Sequence, residues 1–195
     1  MQIGWLGWES VAVVFALLYL VLAVRRSIWC WYAALLSTLV YLVIFYNKLL
    51  YMESALQVFY IAMAVYGWWQ WRGGETGNDD LPISRLTWSQ HFKLIATILV
   101  GTAAFGFIMS KTAAALPWLD SFTTVSAVIA TWMVARKILE NWYYWFVIDS
   151  VSIYLYMSRD LFLTVLLFGI YLILIVVGIV VWGRAYRQQS AGVDA

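Results

Sequence analysis

Residues Leu56–Trp71, "LQVFYIAMAVYGWWQW", form an apolar run that ends in a crowd of aromatic rings. The chain then turns hydrophilic at "RGGETGNDD". With its neighbours this run is long enough to approach the roughly 20 residues that carry a helix across a bilayer, and it lacks the alternation of a barrel strand. Tyr and Trp gather at the bilayer interface because one edge of the ring is apolar and the other can hydrogen-bond. The stretch therefore reads as a transmembrane helix arriving at an interface.

The rest of the chain repeats the pattern. Of 195 residues, 65% are hydrophobic and only 11% charged, and the mean hydropathy is +0.83. A soluble domain carries roughly 25% charged residues. The composition is that of an integral membrane protein with no room for a soluble domain. Seven apolar spans are expected: Glu9–Val24, Ile28–Phe45, Leu50–Trp71, Phe92–Met109, Pro117–Ala135, Asn141–Met157 and Leu161–Trp182. The stretch Arg72–Gln90 is the place for a flexible hinge or small solvated loop. The start, "MQIGWLGWES", lacks the features of a cleaved signal peptide.

Lys and Arg are distributed unequally between the two sides. One side takes Arg25, Arg26, Arg72, Arg85, Lys93, Arg136, Lys137, Arg184 and Arg187, and the other only Lys48, Lys111 and Arg159. By the positive-inside rule the richer side is cytoplasmic, with Met1 outside and Ala195 inside. The basic residues form no nucleic-acid stripe. One cysteine, Cys30, rules out an internal disulfide and a cysteine-based metal site. One histidine, His91, reads as an ordinary interfacial residue.

The chain also matches itself at an offset of 111 to 113 residues. Glu9 then meets Asp120, Arg25 meets Arg136, Trp29 meets Trp142, Tyr41 meets Tyr154, Tyr51 meets Phe162, Tyr60 meets Tyr171, Gly67 meets Gly178 and Trp71 meets Trp182. Small gaps near the inner turns are needed. Three helices plus one connector restore the starting side, so the repeats run parallel, as in sugar transporters of the SWEET type. The expected fold is an all-α membrane protein of 3+1+3 helices. Its first repeat spans 9–71, its connecting helix 92–109 and its second repeat 117–182.

Candidate site residues lie where the copies differ. Asn141, Trp145 and Asp149 are four apart and share a helix face, opposite Ile28, Tyr32 and Leu36 in the other copy. Gln57, Tyr60, Ala64, Gly67 and Trp71 form a stripe on the third span, and Gln57 and Gln70 face Phe168 and Val181. A third face holds Asp120, Thr124, Ala127 and Thr131. Asp149 is too costly to expose to lipid. It either meets substrate or is bonded to helix hydroxyls such as Ser37 or Thr38. Asn141 also fits the role of a helix N-cap. Trp29, Trp31, Trp142 and Trp145 lie near helix ends, as do Trp68, Trp69 and Trp71, so most are belt residues by default; Trp145 and Trp71, which share stripes with amides, are the better site candidates. No nucleotide-hydrolysing, zinc-protease or serine-nucleophile motif is present, so neither an enzyme nor a primary pump is expected.

These residues carry a resemblance. Trp68-x-x-Trp71 in "YGWWQW", "LQVFY" at Leu56–Tyr60, "ARKILENWYYWFVID" at Ala135–Asp149 and "LPWLDSFTTVSAVIATW" at Leu116–Trp132 resemble the PnuC family of bacterial vitamin transporters, over nearly the whole chain. The resemblance implies the SWEET-like fold in a bacterial inner membrane and facilitated diffusion of nicotinamide riboside, drawn inward by a cytoplasmic vitamin kinase. Family members for thiamine and riboflavin leave those vitamins as alternatives, thiamine before riboflavin. It assigns Gln57, Trp68, Trp71, Asn141 and Trp145 to the substrate pathway. Tyr60, Gln70, Thr124 and Asp149 join them as candidates from the stripes. A vitamin and membrane lipid are the implied partners, a homo-oligomer stays open, and no cofactor, metal or nucleic acid is implied. A non-transporting membrane scaffold or receptor is the remote alternative.

Overall fold

Among the described residues the apolar runs fold as seven helices, and no strand forms beyond one isolated bridge. The structure, a computed structural model, describes residues 3–47, 51–72, 81–111, 116–158 and 162–193. For 3–7, 9, 45, 51–55, 162–164 and 192–193 it describes the backbone alone. The helices are α1 (Ile3–Val24), α2 (Trp29–Asn47), α3 (Tyr51–Trp71), α4 (Trp88–Met109), α5 (Pro117–Ala135), α6 (Asn141–Met157) and α7 (Phe162–Val193). Each satisfies its own backbone hydrogen bonds, as an apolar surrounding demands. By length and composition α4, α5 and residues 165–191 can each cross a membrane, and α1 and α2 contribute shorter apolar stretches, Ser10–Val24 and Trp29–Ile44. The more polar α3 and α6 hold most of the candidate site residues. Lys48, Arg159 and the side chain of Glu9 lie outside the described residues.

Three helix boundaries differ from the expected spans by more than two residues. The first helix begins at Ile3, ahead of Glu9. The fourth begins at Trp88, not Phe92, because Thr87 and Gln90 form a capping box in which each side chain bonds the other residue's backbone N–H. The seventh continues past Trp182 to Val193, since no proline interrupts it and Arg187 and Ser190 bond carbonyls one turn back.

The chain divides into two units, Met1–Pro82 and Ile83–Ala195. In the first, α2 packs between α1 and α3. Ser37 Oγ donates to the Ala12 carbonyl at 2.9 Å, tying α2 to α1 through a buried contact. In the second, α4 packs on α5, α5 on α6 and α6 on α7. Trp88, Phe92, Ile95 and Leu99, at helical spacing on α4, are all exposed, which suits a face turned to lipid.

Part of the stretch expected as a hinge or solvated loop, from Ile83 to Gln90, is held by hydrogen bonds. Residues 73–80 lie outside the described residues, but Ile83–Thr87 forms a strap across the α5–α6 turn. Ser84 N donates to Lys137 O (3.1 Å) and Leu139 N donates to Ser84 O (2.9 Å). The Gln189 side chain on α7 accepts from Ile83 N at 3.1 Å and donates to Ile83 O at 3.3 Å. Buried Glu140 accepts from Arg85 Nε (2.9 Å) through one oxygen and from Leu86 N (3.1 Å) through the other. The bond to Glu140 raises the Arg85 guanidinium pKa further above its ordinary value. The two partners are unequal, because Glu140 is enclosed whereas the Arg85 side chain is 57% exposed. Arg85→Ala is therefore expected to cost about 1–3 kcal/mol, because it leaves the enclosed Glu140 carboxylate without its charged partner. Glu140→Ala removes that enclosed charge together with its bonds and strands donors that are exposed or half-buried, so it should cost about 1 kcal/mol or less. Thermal unfolding in detergent measures both, and equal losses would contradict this account of the strap.

Candidate functional site

The two units build the same turn. In the first, α1 ends with Arg26 in the left-handed region (φ 58°), Arg26 N bonding Ala23 O and Ser27 N bonding Leu22 O, both at 3.0 Å. In the second, α5 ends with Lys137 at φ 48°, Lys137 N bonding Val134 O and Ile138 N bonding Met133 O, again at 3.0 Å. This pair of bonds is the Schellman ending of a helix. The entries to α2 and α6 match as well: Cys30 N and Trp31 N bond Ser27 O and Ile28 O, as Asn141 N and Trp142 N bond Ile138 O and Leu139 O.

One indole follows each turn and fills the same place. Trp31 packs edge-on against Trp71 on α3, with ring centroids 5.4 Å apart and planes at 84°. Trp142 packs against Trp182 on α7 at 5.5 Å and 83°. Each ring lies on a glycine. A Cβ at Gly67 would collide with the Trp31 ring, and one at Gly178 would sit 2.7 Å from the ring of Trp142. Every one of these pairs is separated by 111 residues, with no gap.

That spacing corrects the alignment of α2 with α6. The counterpart of Trp142 is Trp31, which is 2% exposed, and not Trp29, which is 63% exposed. Tyr41 then corresponds to Ser152, and Asn141, Trp145 and Asp149 correspond to Cys30, Ala34 and Thr38. The sequence "WCW" offers two tryptophans two apart, and only packing distinguishes them.

In the first unit, α3 presents the expected stripe as its packed face: Gln57, Ala64, Gly67 and Trp71 are buried and Tyr60 half-buried. Gln57 makes no hydrogen bond with another described residue. Trp68 and Gln70 are half-buried beside the stripe, while Trp69 is 65% exposed, as an interface anchor should be. The Trp68 ring meets Tyr32 on α2 at 6.4 Å, and the Arg72 guanidinium lies over it at 5.0 Å. Tyr19 on α1 packs on Trp31 at 6.1 Å, a neighbour of the cluster that the stripe did not indicate.

In the second unit, Asn141 is fully enclosed. It is the first residue of α6, not the N-cap, which is Glu140 and makes no side-chain cap bond. Asn141 Nδ2 instead donates to Ile138 O at 2.6 Å, while its Oδ1 has no partner among the described residues. The indole N–H groups of Trp31 and Trp142 are likewise buried without an acceptor there. Trp145 is half-buried, and Asp149 is buried with no hydrogen bond or ion pair to a described residue. Ser37 Oγ bonds Ala12 O and Thr38 Oγ1 bonds Ala34 O and Leu35 O, all within the first unit.

The expected face on α5 splits in two. Asp120 and Thr124 are exposed, whereas Ala127 and Thr131 are buried, with Thr131 Oγ1 bonded to Ala127 O. His91, read as an ordinary interfacial residue, stacks on Tyr144 of α6, with its Nδ1 3.0 Å from the phenol oxygen. No three potential metal ligands gather among the described residues. Cys30 is a buried thiol.

Comparison with known proteins matches residues 6–184 to the model of the nicotinamide mononucleotide transporter family. The riboflavin/roseoflavin transporter RibM of Streptomyces davaonensis is 29% identical over 93% of this chain and 87% of its own. The nicotinamide riboside transporter PnuC of Escherichia coli is 23% identical over 95% of this chain and 89% of its own. The crystal structure of the vitamin B3 transporter PnuC superposes with a TM-score of 0.74 at 25% identity, covering 93% of this chain and 82% of that one. These relatives are transporters, which sets aside both an enzyme and a scaffold. The chain belongs to the nicotinamide mononucleotide transporter family and is a membrane vitamin transporter of the PnuC type.

Proposed function

We propose that the protein is a passive uniporter for nicotinamide riboside, and that phosphorylation by a cytoplasmic kinase traps the vitamin after entry. The observation carrying this reading is the family match across 6–184, supported by the likeness to the vitamin B3 transporter PnuC. In this proposal 9–71 and 117–182 are parallel three-helix repeats joined by 92–109, with Met1 outside and Ala195 inside a bacterial inner membrane. The common turns and indole pairs at a spacing of 111 support the repeat. Gln57, Tyr60, Trp68, Gln70, Trp71, Thr124, Trp145 and Asp149 supply the substrate pathway. Asn141, being enclosed, acts by holding the α6 entry in place.

Riboflavin is a second reading, favoured by two observations. RibM is a relative at 29% identity. The Arg72 guanidinium also lies over the Trp68 ring, so a cationic vitamin stacking there would meet a like charge. A neutral flavin would not. Thiamine, whose ring is also cationic, faces the same obstacle.

Equilibrium binding of purified protein to nicotinamide riboside, riboflavin and thiamine ranks the three. Binding of none would sink the proposal. Uptake into kinase-free proteoliposomes is expected to stop at equal concentrations inside and out and to ignore collapse of a pH gradient. Coupled carriers place relays of ionisable groups on the pathway, and Asp149 is the lone acid among the proposed pathway residues. Accumulation driven by a gradient would overturn passive transport.

A further inference from the structure

Two polar side chains on the packed face of α6 have not found partners. Asp149 is 3% exposed and Ser152, one turn further on, is 6% exposed; they lie among Ile148 and Leu155. Neither side chain makes a hydrogen bond with another described residue. The other hydroxyls of this helix end differently: Ser150 Oγ closes on Phe146 O at 2.7 Å. At the helix end, Ser158 Oγ closes on Leu155 O at 2.7 Å. In the first unit the position matching Asp149 holds Thr38, whose hydroxyl is satisfied by Ala34 O and Leu35 O at 2.9 and 3.1 Å.

A helix can thus satisfy a hydroxyl by itself, and Ser152 does not do so. A buried carboxylate without a partner is costly, and polar groups kept within membrane spans mark substrate routes. The chemistry of the pair restricts what fits. A carboxylate accepts hydrogen bonds through two oxygens and donates none, and a serine hydroxyl both donates and accepts. One turn apart on a helix, their Cβ atoms are about 5–6 Å apart, a distance that spans neighbouring hydroxyls on a sugar chain. The ring nitrogen of a nicotinamide riboside has no proton to donate, whereas its ribose hydroxyls do.

From this arrangement we infer that Asp149 and Ser152 form a hydroxyl-reading pair for the ribosyl or ribityl part of the vitamin. The inference rests on the transport reading above and adds Ser152 as a specificity-determining residue. The pair serves nicotinamide riboside and riboflavin alike, because both attach a polyol to a flat ring, and it discriminates against flat rings that lack one.

The test compares each vitamin with its polyol-free analogue: nicotinamide riboside with 1-methylnicotinamide, which keeps the ring cation, and riboflavin with lumiflavin, which keeps the flavin. Wild type is expected to prefer the polyol form at least tenfold. Asp149→Asn and Ser152→Ala should each weaken the polyol form by about tenfold and leave the analogue within twofold. Asp149→Asn is isosteric, and Ser152→Ala removes one oxygen from a half-turn of ordinary helix, so both are read in monodisperse protein of unchanged thermal stability. Equal binding of the two forms by wild type would overturn the inference while leaving transport intact. So would an equal loss of nicotinamide riboside and 1-methylnicotinamide in Asp149→Asn, since the carboxylate would then answer to charge. If wild type binds neither vitamin, the transport reading falls and the pair falls with it.

Discussion

Trp142→Ala is expected to cost about 3–5 kcal/mol of stability, the range for emptying the space of a large buried aromatic. The ring is fully buried between Gly178 and Trp182, so its removal leaves a hole that neither neighbour can fill without moving a helix. In lipid the loss is one of dispersion contacts more than of hydrophobic transfer, because lipid tails are as apolar as the core. Trp31→Ala should behave alike, since it meets Gly67 and Trp71 in the same geometry. Trp29→Ala removes a mostly exposed ring and should stay within about 1 kcal/mol. Thermal unfolding of the three variants in one detergent decides the matter. Were Trp29→Ala as damaging as Trp142→Ala, the 111-residue correspondence would be wrong.

The complementary change fills space instead of emptying it. Gly67→Ala adds a methyl group where the Trp31 ring already lies, and Gly178→Ala adds one 2.7 Å from Trp142. Overpacking of this kind costs about 1–3 kcal/mol, more where the obstacle is a rigid ring held by a second ring. Gly169 and Gly183 on α7 have open space at the same position. Alanine there should be neutral or slightly stabilising, because glycine is the poorer helix former by roughly 0.5–1 kcal/mol. A loss at Gly169 or Gly183 as large as at Gly67 would show that helix propensity, not the indole contact, governs these sites.

Much of this architecture is legible in the sequence because bilayer solvation imposes it. Apolar runs such as Phe92–Met109 have one stable solution, and the aromatic motifs identify the family. What escapes the sequence is set by contacts distant along the chain. "WCW" does not reveal that Trp31, not Trp29, turns inward; that follows from where Gly67 and Trp71 lie on α3. The strap at Ile83–Thr87 has no hydropathy signature, and its partners Glu140 and Gln189 are far away in sequence. Asn141 has the chemistry of an N-cap, but α6 begins at Asn141 itself and the amide turns back to Ile138 O. The start of α4 was available in "TWSQ", a capping box, although the apolar count alone passed over it.

The left-handed ends of α1 and α5 have a consequence for how the chain enters the membrane. Glycine is the residue that adopts that conformation freely, and Arg26 and Lys137 hold it at a cost of roughly 1–2 kcal/mol each. Under the proposed orientation these are also cations that the insertion machinery counts when it decides which loops stay in the cytoplasm. A glycine at either turn would relieve that backbone cost and make the topology less certain during synthesis. Folding and insertion thus press on the same two residues in opposite directions, and the chain has kept the charge.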